Sequence, residues 1–156
     1  ARIAPVSIKV ELYSDLGNLP LFNPDVEIID SQYPTKLRTQ IMTADAVLIA
    51  SPEYAHGITG SMKNALDWMV GCEAFVNKPV ALLNASPRAV HAQEALRETL
   101  YMMTAQIIDS ACITLPIMGS LLTEDDIVDH PALSASLSNV LACIQSVVIA
   151  GKTLSE

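Results

Sequence analysis

The stretch SPEYAHGITGSMKNALDW, from Ser51 to Trp68, holds the residue types best suited to gripping a flat molecule with polar edges. Pro52 has no amide proton and restrains Ser51, so an extended segment ends there. Gly57 and Gly60 are expected to allow positive φ and to let a ligand approach bare main chain. Amides between Glu53 and Gly57 are then free to hydrogen-bond a planar ligand, while Tyr54 and His56 add aromatic surface with a polar tip. Ser61 is the candidate N-cap of the helix that follows, and a helix start favours nearby negative charge. An ordinary strand-to-helix connection built of turn residues fits the same composition, and on these residues alone both readings stand.

The flanking elements say where such a loop must lie. Ala46 to Ala50 is an uninterrupted apolar run, as expected of a strand buried on both faces. Beyond the glycines, Met62, Ala65, Leu66, Met69 and Val70 recur on one face of a helix. A loop leaving the carboxyl end of a parallel strand occupies the usual ligand position of open α/β sheets.

The rest of the chain repeats this alternation. Val6 to Tyr13 reads as a strand by strict alternation, and Asp15 to Asp25 as a loop whose Leu19, Leu21 and Phe22 must pack on the body or on a partner. A short helix is expected from Thr35 to Ala44. Pro79 to Asn84 is a second buried-strand run, ending in Ala85-Ser86-Pro87-Arg88 before a helix from Val90 to Ala105. Ile107 to Leu115 reads as a fourth strand. Glu124-Asp125-Asp126 reads as a solvated loop near a helix start, and Leu133 to Val148 as an amphipathic helix with Pro131 in its first turn. The pattern predicts one α/β domain over residues 1–156, with a mostly parallel sheet.

Composition excludes several function classes. The 156 residues carry a net charge of −8, which argues against nucleic acid or an anionic membrane as partner. No membrane span and no signal peptide are expected, and the three cysteines suggest reduced thiols in a cytoplasm. No metal-ligand cluster is evident, with His56, His91 and His130 scattered along the chain. The G-x-x-x-x-G-K-[ST] and G-x-G-x-x-G signatures are absent. A serine hydrolase built on Ser51 or Ser86 would lack G-x-S-x-G.

The central segment resembles the flavin-contacting stretch of the NADPH-dependent FMN reductase family, whose pattern is P-E-Y-x-x-x-x-P-G-x-L-K-N-A-I-D-W. Pro52, Glu53, Tyr54, Gly60, Lys63, Asn64, Ala65, Asp67 and Trp68 match, whereas Thr59, Met62 and Leu66 replace proline, leucine and isoleucine. Leu12 to Asp25 and Lys78 to Ala81 extend the likeness. The resemblance implies a flavodoxin-like three-layer sandwich that passes hydride from NADPH or NADH to FMN and on to a small acceptor such as a quinone. The backbone of Pro52, Glu53, Tyr54, Ala55, His56 and Gly57 would hold the ring edge, with Ser86, Pro87 and Arg88 on the flavin's other side. No side chain would act as acid or nucleophile, since the family relies on orientation of stacked rings. Lys63, Asn64, Asp67 and Trp68 would brace loop and helix or meet a neighbouring subunit, and a homodimer or homotetramer is implied.

One departure qualifies this expectation. The family's opening strand and its phosphate-holding G-S-x-R-x-x-S-x-N loop have no counterpart here, and Ala1 to Ala4 resembles the end of the helix that should follow. In the strand order 2-1-3-4-5 the absent strand would lie between Val6–Tyr13 and Ala46–Ala50. The chain would then be a shortened form, or its sheet would close differently or borrow a strand. Weak or no FMN binding by this polypeptide is the expectation, and a non-catalytic flavodoxin-like binding or assembly protein is the alternative.

Overall fold

The two apolar runs pair with each other. In the computed structural model, which describes residues 1–117 and 119–153, strand β1 (Val47–Ala50) lies parallel to β4 (Pro79–Asn84), with Val47 opposite Val80 and Ala50 opposite Leu83. Between them come the two-residue strands β2 (Glu53–Tyr54) and β3 (Gly57–Ile58), which pair antiparallel, and helix α2 (Gly60–Val70). Helix α1 (Gln32–Thr43) precedes β1, and α3 (Val90–Met102) follows β4. The chain closes with β5 (Gln106–Ile107), β6 (Ile113–Thr114), α4 (Glu124–Asp129) and α5 (Pro131–Thr153). Strands β5 and β6 both run parallel to β4 on the side away from β1.

Side-chain alternation along β4 divides the interior into two cores. Val80 and Leu82 face a large cluster with Leu37 and Ile41 of α1, Leu66 and Met69 of α2, and Leu96 and Leu100 of α3. Ala81, and beside it Leu83, face a smaller cluster under Val140, Cys143, Ile144 and Val147 of α5. Helices thus cover both faces of a parallel sheet, the expected three-layer α/β arrangement.

Several expectations are corrected. Val6 to Tyr13 forms no strand: no described residue pairs with it, and Val6 and Leu12 are exposed. Alternation marks which side chains share a face, but a strand needs a neighbouring backbone to bond. Correspondingly, β1 pairs only with β4 among the described residues. The expected strand at Ile107–Leu115 is split by a 3₁₀ turn at Asp109–Ala111, and in the gap the Leu82 amide donates to Cys112 Sγ at 3.4 Å. Helix α2 is capped by Thr59, whose hydroxyl accepts from the Met62 amide, so the cap lies two residues before Ser61. The acidic stretch is itself helical, as Thr123 and Asp126 form a reciprocal capping box that holds the Asp126 carboxyl below its usual range.

Helix α5 is the largest surprise. Pro131 to Gly151 carries no charge, and the most apolar 18-residue window reaches a mean hydropathy of 1.7 with only 11% of it buried. By length and composition this helix could cross a membrane, a feature that a search for an uninterrupted apolar run misses because serines are scattered through it. Val140 packs in the cluster around Ala81 of β4, Leu141 is buried beside it in sequence, and the Lys152 ammonium pairs with Asp45 at 2.8 Å.

The loop from Leu16 to Asn23 is pinned rather than free. Asn64 accepts the Phe22 amide at 2.8 Å and donates to the Pro20 carbonyl at 2.9 Å, which also accepts Trp68 Nε1 at 2.8 Å. Phe22 meets Trp68 edge-on at 5.3 Å and Leu19 is buried, leaving Leu21 as the exposed apolar tip. Asn64 and Trp68 therefore brace this loop, as the sequence suggested.

Helix α3 ends in a Schellman motif, with Ala105 N–H on the Leu100 carbonyl and Thr104 N–H on that of Tyr101. Thr104 sits at φ 62°, where its branched side chain is strained. Thr104→Gly is expected to stabilise the fold by about 1 kcal/mol, measured as a higher urea midpoint with unchanged m-value.

Candidate functional site

The parallel register of β1 and β4 brings both expected ligand loops to one edge of the sheet. Ser51 follows the last residue of β1 and Ala85 the last of β4, on neighbouring strands. Pro52 to Gly57 and Ser86 to Arg88 therefore rise side by side, and the β2–β3 hairpin packs against α3.

The hairpin turns through Ala55 and His56, at φ 50° and 56°. Positive φ at both central residues is the type I′ pattern, which normally calls for Asn-Gly. Gly57 and Gly60, expected to supply that freedom, are not among the positive-φ residues. The strain is carried by two residues with a Cβ, at a cost of order 1–3 kcal/mol each. Among the described residues nothing accepts the amide protons of Ala55 or His56, and both residues are exposed. Two adjacent donors thus stand free where the hairpin leaves the sheet.

Contacts from α3 hold this turn. The Glu53 carboxylate accepts the Ala92 amide at 2.9 Å. That amide is one of the orphan donors of the α3 N-terminus, whose own N-cap, Ala89, has no side chain to offer. A carboxylate there is also favoured by the helix dipole. The His56 ring stacks on that of His91, with centroids 4.4 Å apart and planes 27° from parallel. Tyr54 is exposed beside them. Sequence reading treated His56 and His91 as scattered, and nothing local in the sequence signals that Glu53 caps a helix 39 positions on.

The second loop is organised by a residue the sequence reading passed over. Buried Asn84 accepts the Ser86 amide at 3.0 Å and donates to the Ala89 carbonyl at 3.2 Å. Ser86 is buried too, and its hydroxyl accepts the Arg88 amide at 3.3 Å. Pro87 and Arg88 project outward. An Asn closing the last position of a strand before a Ser-Pro turn is the signal that could have found this arrangement. A cavity of about 250 Å³ opens beside the loop, lined by Asn84, Pro87, Ala89, Arg97 and Cys112 among others. A second, of about 440 Å³, lies at the other end of the sheet around Asn77, Tyr101 and Gln106. Neither touches Pro52 to Gly57.

These donors test the fit of a flavin. Free turn amides and an exposed aromatic beside a rigid Asn-Ser-Pro loop suit the edge and face of a three-ring heterocycle. Nothing in the 156 residues matches the phosphate-holding pattern.

A parallel sheet covered on both sides, with its candidate ligand loops at the carboxyl strand ends, defines a flavodoxin-like α/β protein. The chain superimposes with a TM-score of 0.72 on FerB, a flavoenzyme NAD(P)H:(acceptor) oxidoreductase from Paracoccus denitrificans, over 93% of this chain and 85% of that one at 24% identity, a likeness of fold. The model of the family described as NADPH-dependent FMN reductase matches residues 1–117, and the chain belongs to that family. It is 37% identical over 109 residues to an NAD(P)H-dependent FMN reductase of Pseudomonas aeruginosa, covering 65% of this chain and 57% of the relative. It is 32% identical over 123 residues to a quinone reductase of Pseudomonas putida, covering 74% and 63%. The chain thus spans about three-fifths of the length of these curated relatives.

Removing Asn84 would leave the Ser86 amide and the Ala89 carbonyl without their partner. Asn84→Ala is expected to lower unfolding free energy by about 2–3 kcal/mol, read from urea unfolding, with Asn84→Asp recovering the bond to the Ser86 amide only.

Proposed function

We propose that this chain is the ring-holding body of an NAD(P)H-dependent FMN oxidoreductase that delivers hydride to a small acceptor such as a quinone. The observation that carries this reading is the pair of free amides at Ala55 and His56, on a hairpin that follows β1 and packs against α3 at the end of the sheet where Ser86 to Arg88 follow β4. Backbone of Pro52 to Gly57 would hold the polar ring edge, and Ser86, Pro87 and Arg88 would flank the opposite side. Bound there, FMN supplies the two-electron hydride chemistry. The protein orients the ring and leaves one face open to a nicotinamide and then to the acceptor. No side chain is needed as acid or base, and no metal enters.

NADPH or NADH serves as donor in this reading, and the working compartment is the cytoplasm, in keeping with three free cysteines. Residues 1–156 are read as a single α/β domain, and their net charge of −8 argues against a nucleic-acid partner. A homodimer or homotetramer is part of this reading by resemblance to the family. The relatives named above are reductases and an oxidoreductase, which leaves the non-catalytic assembly reading without support.

The 156 residues by themselves contain no match to the family's phosphate-holding pattern, so titrated alone they should discriminate little between FMN and riboflavin. Fluorescence titration is expected to give weak binding of both, with dissociation constants within about threefold. NADPH oxidation in the presence of a quinone should rise on adding either flavin with the protein over flavin alone. Zero turnover by folded protein at saturating flavin would return the assembly reading to the front, and strong preference for FMN would show a phosphate site elsewhere.

A further inference from the structure

The β2–β3 hairpin has two features that do not belong together in an isolated sequence. Its turn uses Ala55 and His56 in the left-handed region, where neither residue settles by itself, and its ladder is only two residue pairs long. Such a hairpin does not hold its shape alone. What it has instead are two attachments to the first turn of α3, made by the Glu53 carboxylate to the Ala92 amide and by the His56 ring on the His91 ring. Both attachments land on consecutive residues, so hairpin and helix N-terminus are locked at two points. The same helix start follows directly on the Asn84–Ala89 loop, whose turn is itself closed by Asn84 and Ser86.

We infer that Glu53 is a positioning residue. Through its side chain, and with the His56–His91 stack as second fastening, it holds the left-handed turn against the α3 N-terminus that follows the Ser86–Arg88 loop, so that the two loops offered to the ring are pre-spaced. This inference rests on the flavin reading above and adds a role for side chains that reading leaves idle. Without the carboxylate, the α3 N-terminus keeps an unpaired amide and the strained turn relaxes, so the free amides of Ala55 and His56 no longer point at one place. Preorganised donors bind without paying for their own ordering, which is where the affinity would come from.

Hydrogen exchange in the flavin-free chain and flavin titration together test this. In Glu53→Ala, exchange of the β2 and β3 amides is expected to quicken about tenfold while the β4 amides keep their protection, which shows that the fold is intact. Flavin affinity should fall about tenfold in the same variant. Glu53→Gln, whose amide oxygen can still accept from Ala92, should stay close to the parent in both. Adding Ala55→Asn with His56→Gly to Glu53→Ala supplies a turn that needs no fastening, and should recover both protection and most of the affinity. Unchanged exchange in Glu53→Ala overturns the fastening. Quicker exchange with undiminished affinity overturns the positioning role, as does recovered protection without recovered affinity. Absence of any flavin binding by the parent chain sinks the flavin reading and the positioning role with it, and is told apart by the parent titration alone.

Discussion

Parallel pairing of β1 with β4 in a single register is the constraint on which the rest depends. With Ala50 opposite Leu83, the chain leaves both strands at the same height and on adjacent positions. A slip of one residue would turn Val80 and Leu82 away from the three helices they face and Ala81 towards them, exchanging a large core for a small one. The volumes decide the matter. Ala81 is fully buried beneath α5, where a larger side chain would push the helix off, while Leu82 fills the space among Leu66, Met69 and Leu96. Core packing therefore sets the register, and the register sets the site.

What could be read in the sequence follows from how local each signal is. The runs at Ala46–Ala50 and Pro79–Asn84, and the one-sided spacing of Met62 to Met69, are properties of a few neighbouring residues, and they became β1, β4 and α2. Val6 to Tyr13 shows the opposite case, because alternation is local but a ladder is not. The site divides in the same way. Positions of the two loops followed from the strands, but the fastening of Glu53 to Ala92 and of His56 to His91 spans more than thirty residues and leaves no periodic trace. Glycine was read as the source of positive φ because it adopts it without help. Here tertiary contacts hold Ala55 and His56 there instead, and Gly57 takes an ordinary strand position.

Helix α5 shows how composition can mislead in both directions. Twenty-three residues at about 1.5 Å each make a helix of about 34 Å, whereas the six residues of β4 span about 20 Å. Only the middle of the helix lies over the strand, which is why Val140 and Leu141 are buried and residues towards both ends are not. Outward positions are filled by small residues and by hydroxyls that bond back to their own helix, Ser136 to the Ala132 carbonyl at 2.8 Å and Ser146 to that of Ala142 at 3.0 Å. Those hydroxyls spend their polarity inside the helix, so the surface they present is less polar than the sequence suggests. Reading serines as solvated residues therefore understates how apolar this helix is, and reading mean hydropathy alone overlooks that two of its hydroxyls are bonded within the helix. The sheet supplies the missing distinction: the helical spacing of Val140, Cys143, Ile144 and Val147 marks the stripe of a nearly uniform cylinder that turns inward.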